Sequence, residues 1–450
     1  MMQRIKNLLI LIFILGSCNT LDPAPQDIVI DELVLNEPQD VVPVEIGLYT
    51  SLRGIASPVV ILNDLTTDLL IHQGTFSEFR ELSNKDITAA NAIFSAIWAS
   101  IYRTIYVSNF ILERLPEISG VDPREKRRVI AAANFCRGYA YFIGANCFGG
   151  IPITTSTDVE ANSNISRATK EEVLALAETD LLLALENLPA ESQNEGFASV
   201  NAARAALARF YLYNQNWELA EKYSSDVILS EEYELVSFEN LVTTDDTEEA
   251  ILEVGYTLAD DPGTTTYGLN NQFEKRREII PSNKAVSLLN SSDAGERFHS
   301  ISFDVEDFRG SDNGWSVAKY GTADEDNNDI VLFRLGEMYL IRAEARANLG
   351  KITGGGSAEE DINTLRTRAN STIKVTGASI PQMLSVIEQE RIYELAFEGH
   401  RWFDLVRTGR ATAVMSQFTQ KWADRYNVWP IPIREIQNNP SLVGAQNPGY

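Results

Sequence analysis

Three cysteines and three histidines in 450 residues leave no material for a disulfide scaffold or a histidine-rich metal site. Basic residues are also short: 38 Lys and Arg stand against 63 Asp and Glu, a formal net charge of −25. That deficit excludes a nucleic-acid binder, which needs a basic face for phosphates, and gives no electrostatic hold on an anionic bilayer. A composition 44% hydrophobic, 22% charged and 9% aromatic excludes a largely disordered or fibrous chain. Length alone would allow about three domains.

The chain opens on a segment with its own logic. In residues 1–17, Arg4 and Lys6 precede the unbroken apolar run from Leu8 to Leu15, then small Gly16 and Ser17. This reads as a signal peptide, since a membrane span takes roughly 20 apolar residues. Leu15-Gly16-Ser17-Cys18 resembles the bacterial lipobox, in which the cysteine is acylated and becomes the new first residue. More than one acyl chain on Cys18 would make anchoring stable. Cleavage removes Arg4 and Lys6, leaving 36 basic residues and a charge of −27. Residues 18–40, with three prolines and several acids, read as the lipidated N-terminus and a tether. Cys136 and Cys147 fall on one helical stretch about 16 Å apart, far beyond the roughly 7 Å a disulfide allows, so both read as core thiols.

Helical periodicity dominates the body of the chain. Ile93, Ile97, Ile101 and Ile105 recur between Ile87 and Ile118, and a second long helix runs from Arg124 to Asn146, stopped by Gly149-Gly150. Thr169 and Glu172 form a capping box opening a helix through Leu188. Asn201–Tyr213 and Trp217–Ser230 form a hairpin over Asn214-Gln215-Asn216, with Leu207, Ala208, Tyr211 and Ala220 at tetratricopeptide offsets; Arg204 and Ser224 depart from that pattern. A second such pair runs from Leu332 to Arg368, with Tyr339, Ala343 and Gly350 in register. The expectation is a mainly α protein: helix-pair scaffold over 41–230 and 330–410, and a tail, 411–450, packed on it. Residues 231–329, with a strand at Ala250–Tyr256 and many Gly, Asn, Asp and Ser, form a strand- and loop-rich insert suited to a binding surface.

Several segments together resemble the SusD/RagB family of Bacteroidetes outer-membrane lipoproteins. They are Cys18-Asn19-Thr20-Leu21-Asp22, Ile97-Trp98 through Leu112, Arg137-Gly138-Tyr139-Ala140-Tyr141-Phe142, Phe148-Gly149-Gly150-Ile151-Pro152, Arg334 to Ala345, Phe397-Glu398-Gly399-His400-Arg401-Trp402-Phe403-Asp404-Leu405-Val406-Arg407, and the tail from Pro430 to Tyr450. Gly138 stands where many relatives carry Ala. The resemblance implies a SusD-like fold, lipid anchoring at Cys18 on the outer face of the outer membrane, and a lid-like role over a SusC-type TonB-dependent β-barrel. Nutrient capture, mostly of oligosaccharides, is implied, with oligopeptides as the alternative because some relatives serve peptide importers. No catalysis and no cofactor are implied.

The residues themselves narrow the site. Glu390, Arg391, Glu394, Glu398, Arg401, Asp404 and Arg407 fall at i+3, i+4 and i+7 and read as charges satisfying one another along helices, not as a catalytic carboxylate pair. His72 and His299 fall in expected loops without metal partners, His400 reads as structural, and the acidic stretch Asp324 to Asp329 lacks calcium-loop spacing. Sugar binding asks for rings to stack on and polar groups for hydroxyls. Phe76, Phe79 and Arg80, then Tyr267, Asn271 and Phe273, then Trp315, supply that mixture in segments expected to lie off the helices. The same rings could instead pack the insert's own core, and the sequence leaves both roles open.

Overall fold

The computed structural model describes residues 35–192, 196–255, 266–304, 312–320 and 329–450. Cys18, the signal segment, Asp260-Asp261-Pro262-Gly263 and Asp324 to Asn328 lie outside them. The expected tether is cut short: Leu35 is buried in the main core, and Pro38–Asp40 form a 3-10 turn.

Helix α1 (Val41–Leu65) is followed by strand β1 (Leu70–His72) and α2 (Ser77–Asn84). Asn91 caps α3 (Ala92–Arg114) by accepting from Ile93 N, and Asp122 with Pro123 starts α4 (Pro123–Phe148), which Gly149 ends at φ 76°. The Thr169/Glu172 box opens α5 (Lys170–Asn187). At Gly138 on α4 an added Cβ would lie 3.0 Å from Ala177 O and from Asp180 Cβ of α5, and the neighbouring Arg137 grips Asp180 through two 2.7 Å hydrogen bonds. The missing side chain lets these helices approach, and the ion pair holds them there.

The hairpin of α6 (Val200–Tyr213) and α7 (Trp217–Ile228) is pinned by stacked Tyr211 and Tyr223, 5.6 Å apart. Helix α7 packs on α8 (Leu335–Asn348), which pairs with α9 (Ala358–Arg368), so the two halves of the scaffold meet directly. The second helix pair starts three residues later than its periodicity suggests, because Leu332 to Arg334 belong to a strand. Helices α10 (Ile380–Leu395) and α11 (Arg401–Arg407) complete the scaffold. The tail then packs Trp429, fully buried, against Trp402 at 4.4 Å. Cys136 and Cys147 are buried free thiols. Among the described residues no helix is long and apolar enough to cross a membrane.

Among the described residues, three antiparallel two-stranded pairs stitch the segments together. Strand β2 (Ala250–Val254) pairs with β6 (Ile330–Arg334), β1 with β3 (Ile279–Pro281), and β4 (Ile301–Phe303) with β5 (Trp315–Val317). Residues 231–329 also hold short helices at Phe238–Thr243 and Asn283–Leu289.

Candidate functional site

The pairing of His72 with Ile279 brings two segments two hundred residues apart side by side. Gln73 N donates to Glu278 O at 2.7 Å, so the turn leading into α2 runs along residues 267–278. Asn313 Nδ2 donates to Pro281 O at 2.9 Å and places the β5 hairpin next to β3. At Gly74 a Cβ would collide with the Glu278 carboxylate; glycine there lets that acid reach across the turn. Glu278 Oε1 accepts from Arg276 at 2.5 Å, and its other oxygen lies 3.6 Å from His72 Nε2. Burial outweighs that acid and lowers the His72 pKa, favouring the neutral ring.

On this frame the expected site residues separate into two groups. Phe76 and Tyr267 are half-buried and flank Phe79 at 5.5 and 5.9 Å, the Arg276 guanidinium lies 4.7 Å over the Phe76 ring, and Arg80 is exposed. Trp315 is half-buried beside Phe303, 5.0 Å away in the paired register, and Phe303 is 49% exposed. Phe79 and Phe273, by contrast, are 0% exposed, and Asn271 is buried. Nor are their segments free of helix: Phe79 and Arg80 sit on α2, and Asn271–Lys275 make one π-helical turn. Phe79 is the floor under Phe76 and Tyr267, and Phe273 stacks inward on Tyr320 at 5.7 Å. The core role therefore holds for these two rings.

Phe303 and Arg276 escaped the sequence reading. The signal for Phe303 was the short alternation Ile301-Ser302-Phe303, which can pair with Trp315-Ser316-Val317; only the register shows that the two large rings meet.

The charged C-terminal motif proves to be internal, but its pairs are not those expected. Only Asp404 and Arg407, at 2.9 Å, pair within one helix. Glu390 meets Arg297 and Arg366, Glu394 meets Arg297, Arg334 and Arg368, Glu398 meets Arg334 and Lys319, Arg401 meets Asp68, and Arg391 meets Asp404 across the turn between α10 and α11. These helix faces point inward, so their charges find partners on packed neighbours rather than along their own surface. Burial pushes the Glu394 carboxyl up, yet the guanidinium groups of Arg368, Arg334 and Arg297 outweigh it and hold it well below the usual range. His400 is buried and its pKa well lowered by that burial. His72 lies on a strand and His299 in the 3-10 turn Gly295–Ser300, not in loops. Asp329, the one described member of the acidic stretch, converges with Asp246 and Glu253, their carboxylate oxygens within 4.8 Å; among the described residues these three could hold a cation. Glu253 is pushed up to about 8, chiefly by burial.

Comparison with known proteins adds the lineage. Residues 310–450 match the SusD family, and residues 58–212 match a family described as starch-binding and associating with the outer membrane. A SusD-like protein of Formosa agariphila is 26% identical over 435 residues, covering 82% of this chain and 83% of that one. The starch-binding protein SusD of Bacteroides thetaiotaomicron is 41% identical over 138 residues, 28% of this chain and 22% of that one. A solved laminarin-binding SusD-like protein superposes with a TM-score of 0.80 at 25% identity, covering 92% of this chain and all of that one.

Proposed function

Since the chain belongs to the SusD-like family, we propose that it captures glycans at the cell surface and hands them to a SusC-like TonB-dependent transporter, held to the outer membrane by an acylated Cys18. The observation that carries the reading is the paired rings of Phe303 and Trp315 next to β3, with Phe76 and Tyr267 flanking Phe79, Arg276 over the Phe76 ring and exposed Arg80 on α2. Half-open rings offer faces to the C–H sides of sugars, and guanidinium groups donate to hydroxyls. That starch and laminarin are bound by relatives supports a glucan as the first ligand to try. The acids of the C-terminal motif are committed to arginines and a lysine, which supports a binding role for the protein.

The test is calorimetry and affinity gel electrophoresis of the mature protein against starch, laminarin and other glycans, with a mixed oligopeptide pool alongside. Saturable glycan binding weakened by Trp315→Ala supports the reading. Binding of the peptide pool alone would replace it with the oligopeptide alternative.

A further inference from the structure

Helix α3 carries an aromatic stripe that plays no part in the site above. Trp98, Tyr102 and Tyr106 recur at four-residue spacing, which sets them on one helix face over about 12 Å of axis. Trp98 and Tyr102 are 5.1 Å apart, and Tyr102 and Tyr106 are half-buried. This face is one wall of an open groove of about 480 Å³, whose other walls come from residues 152–163 and from the C-terminal stretch 435–442. The walls are tied together: Tyr102 Oη donates to Pro152 O at 2.7 Å, and Asn109 Nδ2 to Thr154 O at 3.0 Å. At the Trp98 end of the stripe stands Glu435, half-buried, its carboxyl raised by burial and hydrogen-bonded by Trp98, with the exposed amide of Asn438 one turn further on.

The chemistry of the lining selects its occupant. The half-buried rings of Tyr102 and Tyr106 along one wall, backed by buried Trp98, and the amide, hydroxyl and carboxylate groups along the other match the alternating apolar faces and hydroxyl edges of a sugar chain. Glu435 is the one charged residue among the groove's lining residues, so there is no cation to receive a phosphate, sulfate or uronate. We infer that this groove is a second, separate subsite for a short stretch of neutral glycan, built from α3 and the tail rather than from β1, β3 and β5. It rests on the glycan reading proposed above. Two subsites on one protein would raise its hold on a polymer well beyond that on a short oligosaccharide.

The experiment titrates laminarihexaose and maltohexaose, calorimetrically and by protein NMR, into four forms: the mature wild-type protein, Tyr106→Ala, Trp315→Ala with Phe303→Ala, and all three changes together. The expected result is two sites in the wild type for one of these sugars. One should be lost in Tyr106→Ala, the other in the Trp315/Phe303 variant, and both in the triple variant. Retardation in a gel of the matching polymer should fall about tenfold or more on loss of either. Should Tyr106→Ala fail to fold, Asn438→Arg, which puts bulk on the exposed rim, takes its place. A single wild-type site abolished by the Trp315/Phe303 change and untouched by Tyr106→Ala and Asn438→Arg would overturn this subsite and leave the proposed function standing. Two sites of which neither responds to Tyr106→Ala or Asn438→Arg would overturn it as well. No binding of these or any other glycan by the wild type would overturn both.

Discussion

Arg334 at the end of β6 and Glu394 near the end of α10 stand sixty residues apart in the chain and meet at 2.7 Å, Nη1 to Oε1, both almost wholly buried. Arg334 also reaches Glu249 at 2.7 Å and Glu398 at 2.9 Å, so one guanidinium ties the strand pair β2–β6 to the C-terminal motif. The arrangement is costly to assemble and more costly to break, because a lost partner leaves a charge stranded away from water.

Arg334→Met should therefore destabilise the protein by about 3–5 kcal/mol in thermal or denaturant unfolding. A variant of wild-type stability would show that the cluster contributes nothing to the fold.

Packing at Gly138 leaves no room for a branched side chain. Gly138→Val should lower stability by about 1–3 kcal/mol, with Gly138→Ala in between, because a Cβ already lies 3.0 Å from backbone and side-chain atoms of α5. Urea midpoints of the three forms give the comparison.

Truncation should separate the rings by outcome. Phe79→Ala and Phe273→Ala should cost about 3–5 kcal/mol of stability, as full burial dictates. Trp315→Ala and Phe303→Ala should leave the melting profile nearly unchanged and weaken glycan binding by about 1–3 kcal/mol each, read by calorimetry.

Cys18→Ala should shift the protein from the membrane to the soluble fraction of cells lacking the transporter partner, since a single side chain would carry the whole anchor. Retention in the membrane fraction would contradict lipidation.

The carboxyls of Glu253 and Asp64 should make stability fall as the pH rises from about 5 to 7, against the buried imidazoles of His72 and His400, whose lowered pKa values work the other way below 6.5. Burial raises the folded-state pKa of Glu253 to about 8 from 4.5, and of Asp64 to about 7 from 3.8, so at these two carboxyls the folded state holds more protons than the unfolded chain across that window. Glu253→Gln should flatten the fall and add roughly 1–3 kcal/mol at pH 8. Above pH 7 Lys85, whose pKa burial lowers to about 7 from 10.5, works the other way, because there the unfolded chain holds the extra proton. Melting temperatures across the pH series, for the wild type and Glu253→Gln, test both signs.

What the chain's own order of residues determined is the set of local elements. The Thr169/Glu172 box, the Asp122-Pro123 start and the Gly149 stop act within one helical turn, and each marks a helix end where the structure has one. The tetratricopeptide-like pairs were legible for the same reason: their apolar and small residues recur at fixed short offsets. Which face of each element meets which neighbour was decided only in three dimensions. Phe76 and Phe79 are three residues apart in similar company, yet one is half open and the other fully buried, because β1 pairs with a strand two hundred residues away and closes over Phe79. Phe303 acquires a role only through its register with Trp315, and the motif acids acquire their arginines only through packing across the core. Burial and ion pairing are properties of contacts between distant segments, and local periodicity carries no information about them.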